Sequence, residues 1–332
     1  MSGVEVKADF RSLEKLRSYH IDTERDEQIL RQLNRLLKKN DKGDPIPEPR
    51  RFTGDLETRG VAIIEASGGG KTTAVNHVLS NHPALKPRSG EDWPRYIRIQ
   101  VPSPATLKSL GREVLTATGF EEVSMRLAAW EIWRLVRHRL ALLGIVVLWF
   151  DEAHDMFLSG SAREIDDMLK MLKSLMQNDH AIIPILSGTE RLSEITSYDP
   201  QVNRRFTKVV PAPLVAGKDN SDLLGLIESF CEIAGLKLSK ERGLTDRLIF
   251  ASRQRFGRAV ETILDAIECA KEAGSGALLR VHFAEAWGMR EGCDWNKNVF
   301  VPDDWAVLEL DAGAEEFEAR RSERQARQVS KR

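Results

Sequence analysis

Cysteine is scarce in this sequence: three among 332 residues, Cys231, Cys269 and Cys293, odd in number and without metal-ligand spacing. That excludes a disulfide framework and a cysteine-rich zinc site and points to reduced thiols. Long hydrophobic runs are missing as well. The longest covers 140–150, short of the ~20 residues that cross a bilayer. The first twenty residues carry charges throughout and no apolar leader core, so a soluble, cytoplasmic protein with no membrane partner is expected. An excess of either charge is lacking too. Forty-nine Lys and Arg against 50 Asp and Glu leave a net charge of −1. A surface that binds polyanions everywhere is thereby excluded, and any nucleic-acid contact must come from local patches or from repetition in an assembly. Glycine (23) and proline (13) are ordinary, which rules out a collagen-like or low-complexity chain, while 42% hydrophobic and 30% charged residues are enough for a core under a polar surface.

What is present begins with charged, helix-forming residues up to 40. Leu13, Leu16, Ile29, Leu33, Leu36 and Leu37 recur at three- and four-residue steps, and Thr23 with Asp26 and Glu27 suits a helix start. The stretch DKGDPIPEPRR, 41–51, reads as a linker. Beyond it, short apolar runs at 61–64, 96–101, 145–150, 181–186 and 208–210 alternate with helical patterns at 72–81, 104–118, 125–143, 162–177 and 191–195. Strands alternating with helices predict a parallel sheet covered on both faces. After Pro213 the strands stop, and 220–234, 244–252, 257–273 and 280–291 read as helices. The expected domains are 1–50, helical segment and linker; 51–214, α/β; 215–291, all-helical; and 292–332, an extension ending in a tail, 320–332, with six basic residues and one acidic. Trp295, Phe300 and Trp305 in that extension could dock on the chain's own core or on a partner, and the tail reads as a solvated end or a hook.

The run Val61-Ala62-Ile63-Ile64 leads into Glu65-Ala66-Ser67-Gly68-Gly69-Gly70-Lys71-Thr72-Thr73 and then a helix. This strand–loop–helix context is what a Walker A phosphate loop needs. Ser67, the three glycines, Lys71, Thr72 and Thr73 would contact nucleotide: glycines let backbone amides converge on phosphate, Lys71 reaches the β- and γ-phosphates, and the Thr72 hydroxyl ligates Mg2+. Glu65 stands where the pattern has glycine, which predicts altered loop geometry.

Residues 145–150 end in Asp151-Glu152. Strand ends in a parallel sheet face the ligand crevice, so Asp151 suits the metal, partly through water, and Glu152 suits the general base. Asp151-Glu152-Ala153-His154 also spells a DEAH box, but a helicase needs a second α/β domain that the residues past 213 do not offer. At the tip of the next strand Ser187 or Thr189 could sense the γ-phosphate, or either could cap a turn. Arg205, with Arg204 in reserve, could reach a neighbouring subunit's phosphate, although a solvated arginine pair reads equally simply. Arg258, in Phe256-Gly257-Arg258-Ala259, could swing onto the nucleotide.

This order of parts resembles the AAA+ ATPases, and within them the TniB/TnsC group of transposition ATPases, related to MuB. The resemblance covers about 20–290 and is carried by the leading charged helix, the loop 67–73, Phe150 through His154, Pro184 through Glu190, and Arg204-Arg205-Phe206. It implies an α/β AAA+ P-loop NTPase with a five-stranded parallel sheet and a helical lid. It implies ATP and Mg2+ as cofactors, and self-association into a ring or helical filament on duplex DNA. It further implies recruitment of a DDE transposase and a TniQ-like targeting adaptor, with disassembly on hydrolysis. DNA contact would then fall to Thr106, Lys108 and Arg112, which also fit an ordinary solvated helix face. Two alternatives stand beside it: an initiator- or loader-like AAA+ protein, for which the ~40 residues after 291 are too few for a winged-helix domain, and a nucleotide-gated scaffold with negligible hydrolysis.

Overall fold

The structure, a computed structural model, describes residues 11–103, 105–120, 123–157, 162–177 and 179–310. Two compact units emerge, His20–Ala212 and Met1–Tyr19 joined to Pro213–Arg332. The N-terminal stretch expected as one segment is therefore shared. Helix α1 (Arg11–Ser18) packs in the helical unit, while α2 (Glu24–Leu36) packs in the α/β unit. Helix α2 starts where the sequence indicated. The Asp26 carboxylate accepts from the Thr23 amide (2.9 Å), closing a capping box, and Ile29, Leu33 and Leu36 form its buried face.

The stretch read as a linker is partly a hairpin: β1 (Leu37–Lys39) pairs antiparallel with β2 (Pro45–Pro49). Its prolines signalled a break, yet proline is tolerated on an edge strand, where a missing N–H costs no ladder bond.

The central sheet comprises β3 (Gly60–Ile64), β4 (Tyr96–Gln100), β5 (Val147–Asp151), β6 (Ile183–Gly188) and β7 (Phe206–Val209). All pairings are parallel, in the order β4-β5-β6-β3-β7. Every residue of β3, β5 and β6 is buried, as expected where helices cover both faces. The two-residue period sends Ala62, Ile64, Leu148, Phe150 and Leu186 toward one layer, with Leu110, Val114 and Ile132. Val61, Ile63, Val147, Trp149, Ile183 and Ile185 face the other, with Ile29, Leu33, Val75 and Leu79. Helix α3 (Lys71–Asn81) belongs to the second layer; α4 (Leu107–Ala117), α5 (Ala129–Leu142) and α6 (Ala162–Leu175) belong to the first. Helices α7 (Arg191–Tyr198) and α8 (Pro200–Asn203) connect β6 to β7.

The helical unit contains α9 (Asn220–Ala234), α10 (Leu244–Ala251), α11 (Phe256–Glu272) and α12 (Arg280–Glu291). It also holds a parallel pair of two-residue strands, β8 (Lys237–Leu238) and β9 (Ala277–Leu278), too short to register in the sequence. Leu13 and Leu16 of α1 are buried in this unit and Arg17 pairs with Glu268 at 2.6 Å. The extension docks on its own unit. Val299 and Phe300 are buried, the Arg247 guanidinium donates to the carbonyls of Val299 (2.6 Å) and Pro302 (2.8 Å), and Trp305 meets Phe250 edge-on. Trp295 stays exposed. The basic tail, 320–332, lies outside the described residues. Burial pushes the Cys231 and Cys269 thiols up to about 11, with nearby acidic side chains adding to it, so both stay protonated. No described helix is long and apolar enough to cross a membrane.

Candidate functional site

The loop between β3 and α3 is built on backbone that only glycine adopts readily. Gly68 and Gly70 have φ of +80° and +107°, and Gly70 is the N-cap of α3. At Gly69 the constraint is space: an added Cβ would sit 2.1 Å from the Glu65 side chain. Glu65 itself is held by Arg25 of α2 at 2.7 Å, both side chains largely buried. The departure from the usual glycine is thus matched by an arginine 40 residues upstream, and the Glu65 backbone is not among the left-handed positions. Lys71 is 4% exposed, and its Nζ donates to the carbonyls of Glu65 (2.9 Å) and Ala66 (3.2 Å), drawing the loop around the amine. Ser67 and Thr73 lie exposed at the rim.

Asp151, at the end of β5, collects the neighbouring polar groups. Its oxygens accept from Thr72 Oγ1 at 3.0 and 3.1 Å, from Ser187 Oγ at 2.7 Å, and from the Glu152 amide at 3.2 Å. Ser187 accepts in turn from Trp149 Nε1 at 2.8 Å. The sheet order explains this convergence: β6 lies between β3 and β5, so the tips that carry the loop, Ser187 and Asp151 stand side by side. Of the two sensor candidates, Ser187 is spent on Asp151, whereas Thr189 Oγ1 is buried without a hydrogen-bond partner. Glu152 has φ +54°, a left-handed conformation that a non-glycine residue holds only when its surroundings enforce it, as often happens at reactive sites. Its carboxylate lies 3.3 Å from His154 Nδ1 and is partly exposed.

Sequence reasoning missed three residues. Arg98, at the centre of β4, donates to Asp151 Oδ2 at 2.8 Å and lies over the Trp149 ring at 4.9 Å. The alternation of Tyr96-Ile97-Arg98-Ile99-Gln100 hinted at a polar strand face, but which strand neighbours β4 is not a local property. Arg25 was hidden among many helical charges. Glu57 is the third: it is buried and accepts Arg205 Nε at 2.8 Å, with a second bond from the same guanidinium. Burial alone would push its carboxyl up, but hydrogen bonds from Thr53 and Arg205 and the charges of Arg205 and Arg204 outweigh it and hold it below the usual range.

The arginine pair is therefore unequal. Arg205 is 3% exposed and bound to Glu57 and to the Gln201 carbonyl, whereas the Arg204 side chain is 56% exposed, 3.3 Å from Glu57 at its nearest. The residue preferred from the sequence, Arg205, is thus the one fixed in a buried ion pair, and its neighbour Arg204 is the one that reaches solvent. The nucleic-acid candidates are unequal as well. Thr106 caps α4, its hydroxyl accepting from the Ser109 amide at 3.0 Å, and Arg112 donates to the Ser124 carbonyl at 3.1 Å, while Lys108 is exposed. Arg258 lies in the first turn of α11, in the helical unit. The α/β unit brings together Lys71, Thr72, Asp151, Glu152, Ser187 and Thr189.

The residues suit a triphosphate with a divalent cation: a glycine loop leading into the N-terminus of α3, a buried amine, a hydroxyl–carboxylate pair for the metal, and an unpartnered Thr189 hydroxyl.

A family model described as "Bacterial TniB protein" matches residues 15–213. No curated protein matches the chain. Among solved structures, Cdc6p from Pyrobaculum aerophilum shares 13% identity with a TM-score of 0.60, covering 84% of this chain and 70% of that one. The ORC2 protein of Aeropyrum pernix shares 18% at 0.58, covering 86% and 72%. The Aeropyrum pernix ORC1 protein, solved in complex with DNA, shares 17% at 0.58, covering 84% and 69%. At these identities the likeness is one of fold, that of the AAA+ P-loop NTPases.

Proposed function

The chain belongs to the TniB family, and from that footing we propose an ATPase that assembles on duplex DNA and regulates transposition. The convergence of Thr72 and Ser187 on Asp151, beside the buried Lys71, carries the catalytic half of this reading. Backbone amides of the first turn of α3 offer donors to phosphate oxygens, and the positive end of the helix favours the same anion. Lys71 would exchange the carbonyls of Glu65 and Ala66 for the β- and γ-phosphates. Thr72 and Asp151 would hold Mg2+, which when bound draws off charge developing on the phosphoryl oxygens. Glu152 takes a proton from the attacking water, and Thr189 donates its hydroxyl to that water or to the γ-phosphate. Arg204 supplies charge to a neighbouring subunit's site, with Arg205 and Glu57 bracing the corner. Assembly into a ring or filament, with Lys108 foremost among the α4 contacts to DNA, presents a surface for a DDE transposase and a TniQ-like adaptor. Hydrolysis then takes the assembly apart.

A second reading, a nucleotide-gated scaffold with negligible hydrolysis, draws on Arg98, whose guanidinium claims an Asp151 oxygen that a cation would need. Phosphate release by wild type and Glu152→Gln, with and without duplex DNA, separates the two. An ATPase loses roughly 10²–10⁴-fold in the variant while keeping its uptake of a fluorescent ATP analogue; equal, negligible rates throughout leave only the scaffold. Lys71→Ala should abolish that uptake, and undiminished uptake overturns both readings.

A further inference from the structure

Along the outer side of α2 and onto the β1–β2 hairpin runs a groove of about 760 Å³. Arg31, Arg35, Lys38, Lys39 and Arg50 line it against one acid, Glu27. In a chain whose charges otherwise balance to −1, five cations around one depression are a local concentration, not a reflection of composition. Lys38 is met by Glu48 at 3.0 Å and Arg50 lies over Phe52 at 5.2 Å. Arg31, Arg35 and Lys39 are exposed, and no ion pair engages them among the described residues. Like charges one turn apart oppose helix formation, an opposition that a bound polyanion removes.

We propose that this groove binds the phosphodiester backbone of duplex DNA without regard to sequence. Arg31 and Arg35 are four residues apart, so their stems stand ~6 Å apart along the helix, and Lys39, the last residue of β1, lines the same groove beyond the helix end. Each DNA strand presents one phosphate per ~3.4 Å of duplex axis, a charge density that offers every cation of the groove a partner. Guanidiniums match phosphate through paired N–H donors. The groove lining includes no aromatic side chain on which a base could stack, so recognition is confined to the backbone. An acidic protein segment fits the charge but not the lining: its docking would want an aromatic or aliphatic anchor pocket at the centre, and the apolar lining is confined to Leu30 and the buried Leu37. The groove belongs to the layer containing α2 and α3, on the sheet face opposite that of α4, which carries Lys108. The two surfaces are therefore separable by mutation.

This inference rests on the DNA-binding reading above. The test measures binding of the full chain, with a slowly hydrolysed ATP analogue, to a labelled random-sequence duplex between about 50 and 200 mM salt. Arg31→Gln/Arg35→Gln/Lys39→Gln should bind at least tenfold more weakly at the lower salt, and its log–log salt slope should shrink by up to about 2.7, near 0.9 per phosphate lost. Uptake of the ATP analogue should stay unchanged, and Arg31→Lys/Arg35→Lys should keep the wild-type slope. If the triple variant folds poorly, Lys39→Gln alone should shorten the slope by about 0.9. An unaltered slope in the folded variants overturns the groove, as does loss of poly-glutamate binding with DNA binding intact, which assigns it to an acidic protein. Failure of the wild type itself to bind duplex removes the DNA reading as a whole.

Discussion

Lys71, Asp151 and Glu152 could be recognised from the sequence because their chemistry is local: a loop between a strand and a helix, and two acids at a strand end. What surrounds them could not. Arg98 reaches Asp151 only because β4 and β5 are neighbours, and Arg25 meets Glu65 only because α2 packs beside the loop. Exposure is equally non-local, and it separates Arg204 from Arg205. Replacing Arg204 by alanine should leave folding intact and lower assembly-dependent phosphate release by roughly 10³–10⁵-fold if it acts across subunits. Arg205→Ala should instead destabilise the α/β unit by about 3–5 kcal/mol, because Glu57 is left buried without its main partner. Denaturant melts and phosphate release, measured on both variants, check the division. Glu57 also sets an acid response. Its carboxyl is held below its ordinary value of 4.5, so its stabilisation is present above that value and is lost as pH falls through the native value. Glu57→Gln should flatten stability against pH below about 4.5, a loss of slope readable in urea melts at stepped pH.

Among the elements, those with a strong period were legible. The four helices after 213 start and stop within a residue or so of their expected bounds, and the five apolar runs became the five strands of one sheet. The hairpin and the extension were not, for different reasons. Prolines in β2 mimic a linker because an edge strand and a linker both tolerate missing donors. The extension has no period at all; it is held by particular contacts, above all the Arg247 guanidinium on the carbonyls of Val299 and Pro302. Arg247→Met should therefore cost about 1.5–3 kcal/mol, the worth of hydrogen bonds to a charged donor. Hydrogen exchange should show faster exchange at 298–302, with α9 little changed. Unaltered protection there means that Phe300 and Val299 alone anchor the segment.

At the scale of the whole molecule, the helical unit is discontinuous: α1 comes from the beginning of the chain and α9–α12 from its end. Sequence periodicity located α1 but could not say which unit it joins, since a Leu13–Leu16 stripe fits any apolar surface. Deleting residues 1–19 should remove protection from exchange in α9 and α11, whose partner α1 is, while the amides of β3 and β5 exchange as before. Equal loss in both units would mean that they unfold together. The discontinuity also bears on synthesis. Once α1 has left the ribosome, roughly 190 residues must follow before its partners begin to emerge, a wait of ~10–40 s at ~5–20 residues per second. Throughout that interval Leu13 and Leu16 of the nascent chain stand uncovered, which makes the α1 segment a natural client for a holding chaperone.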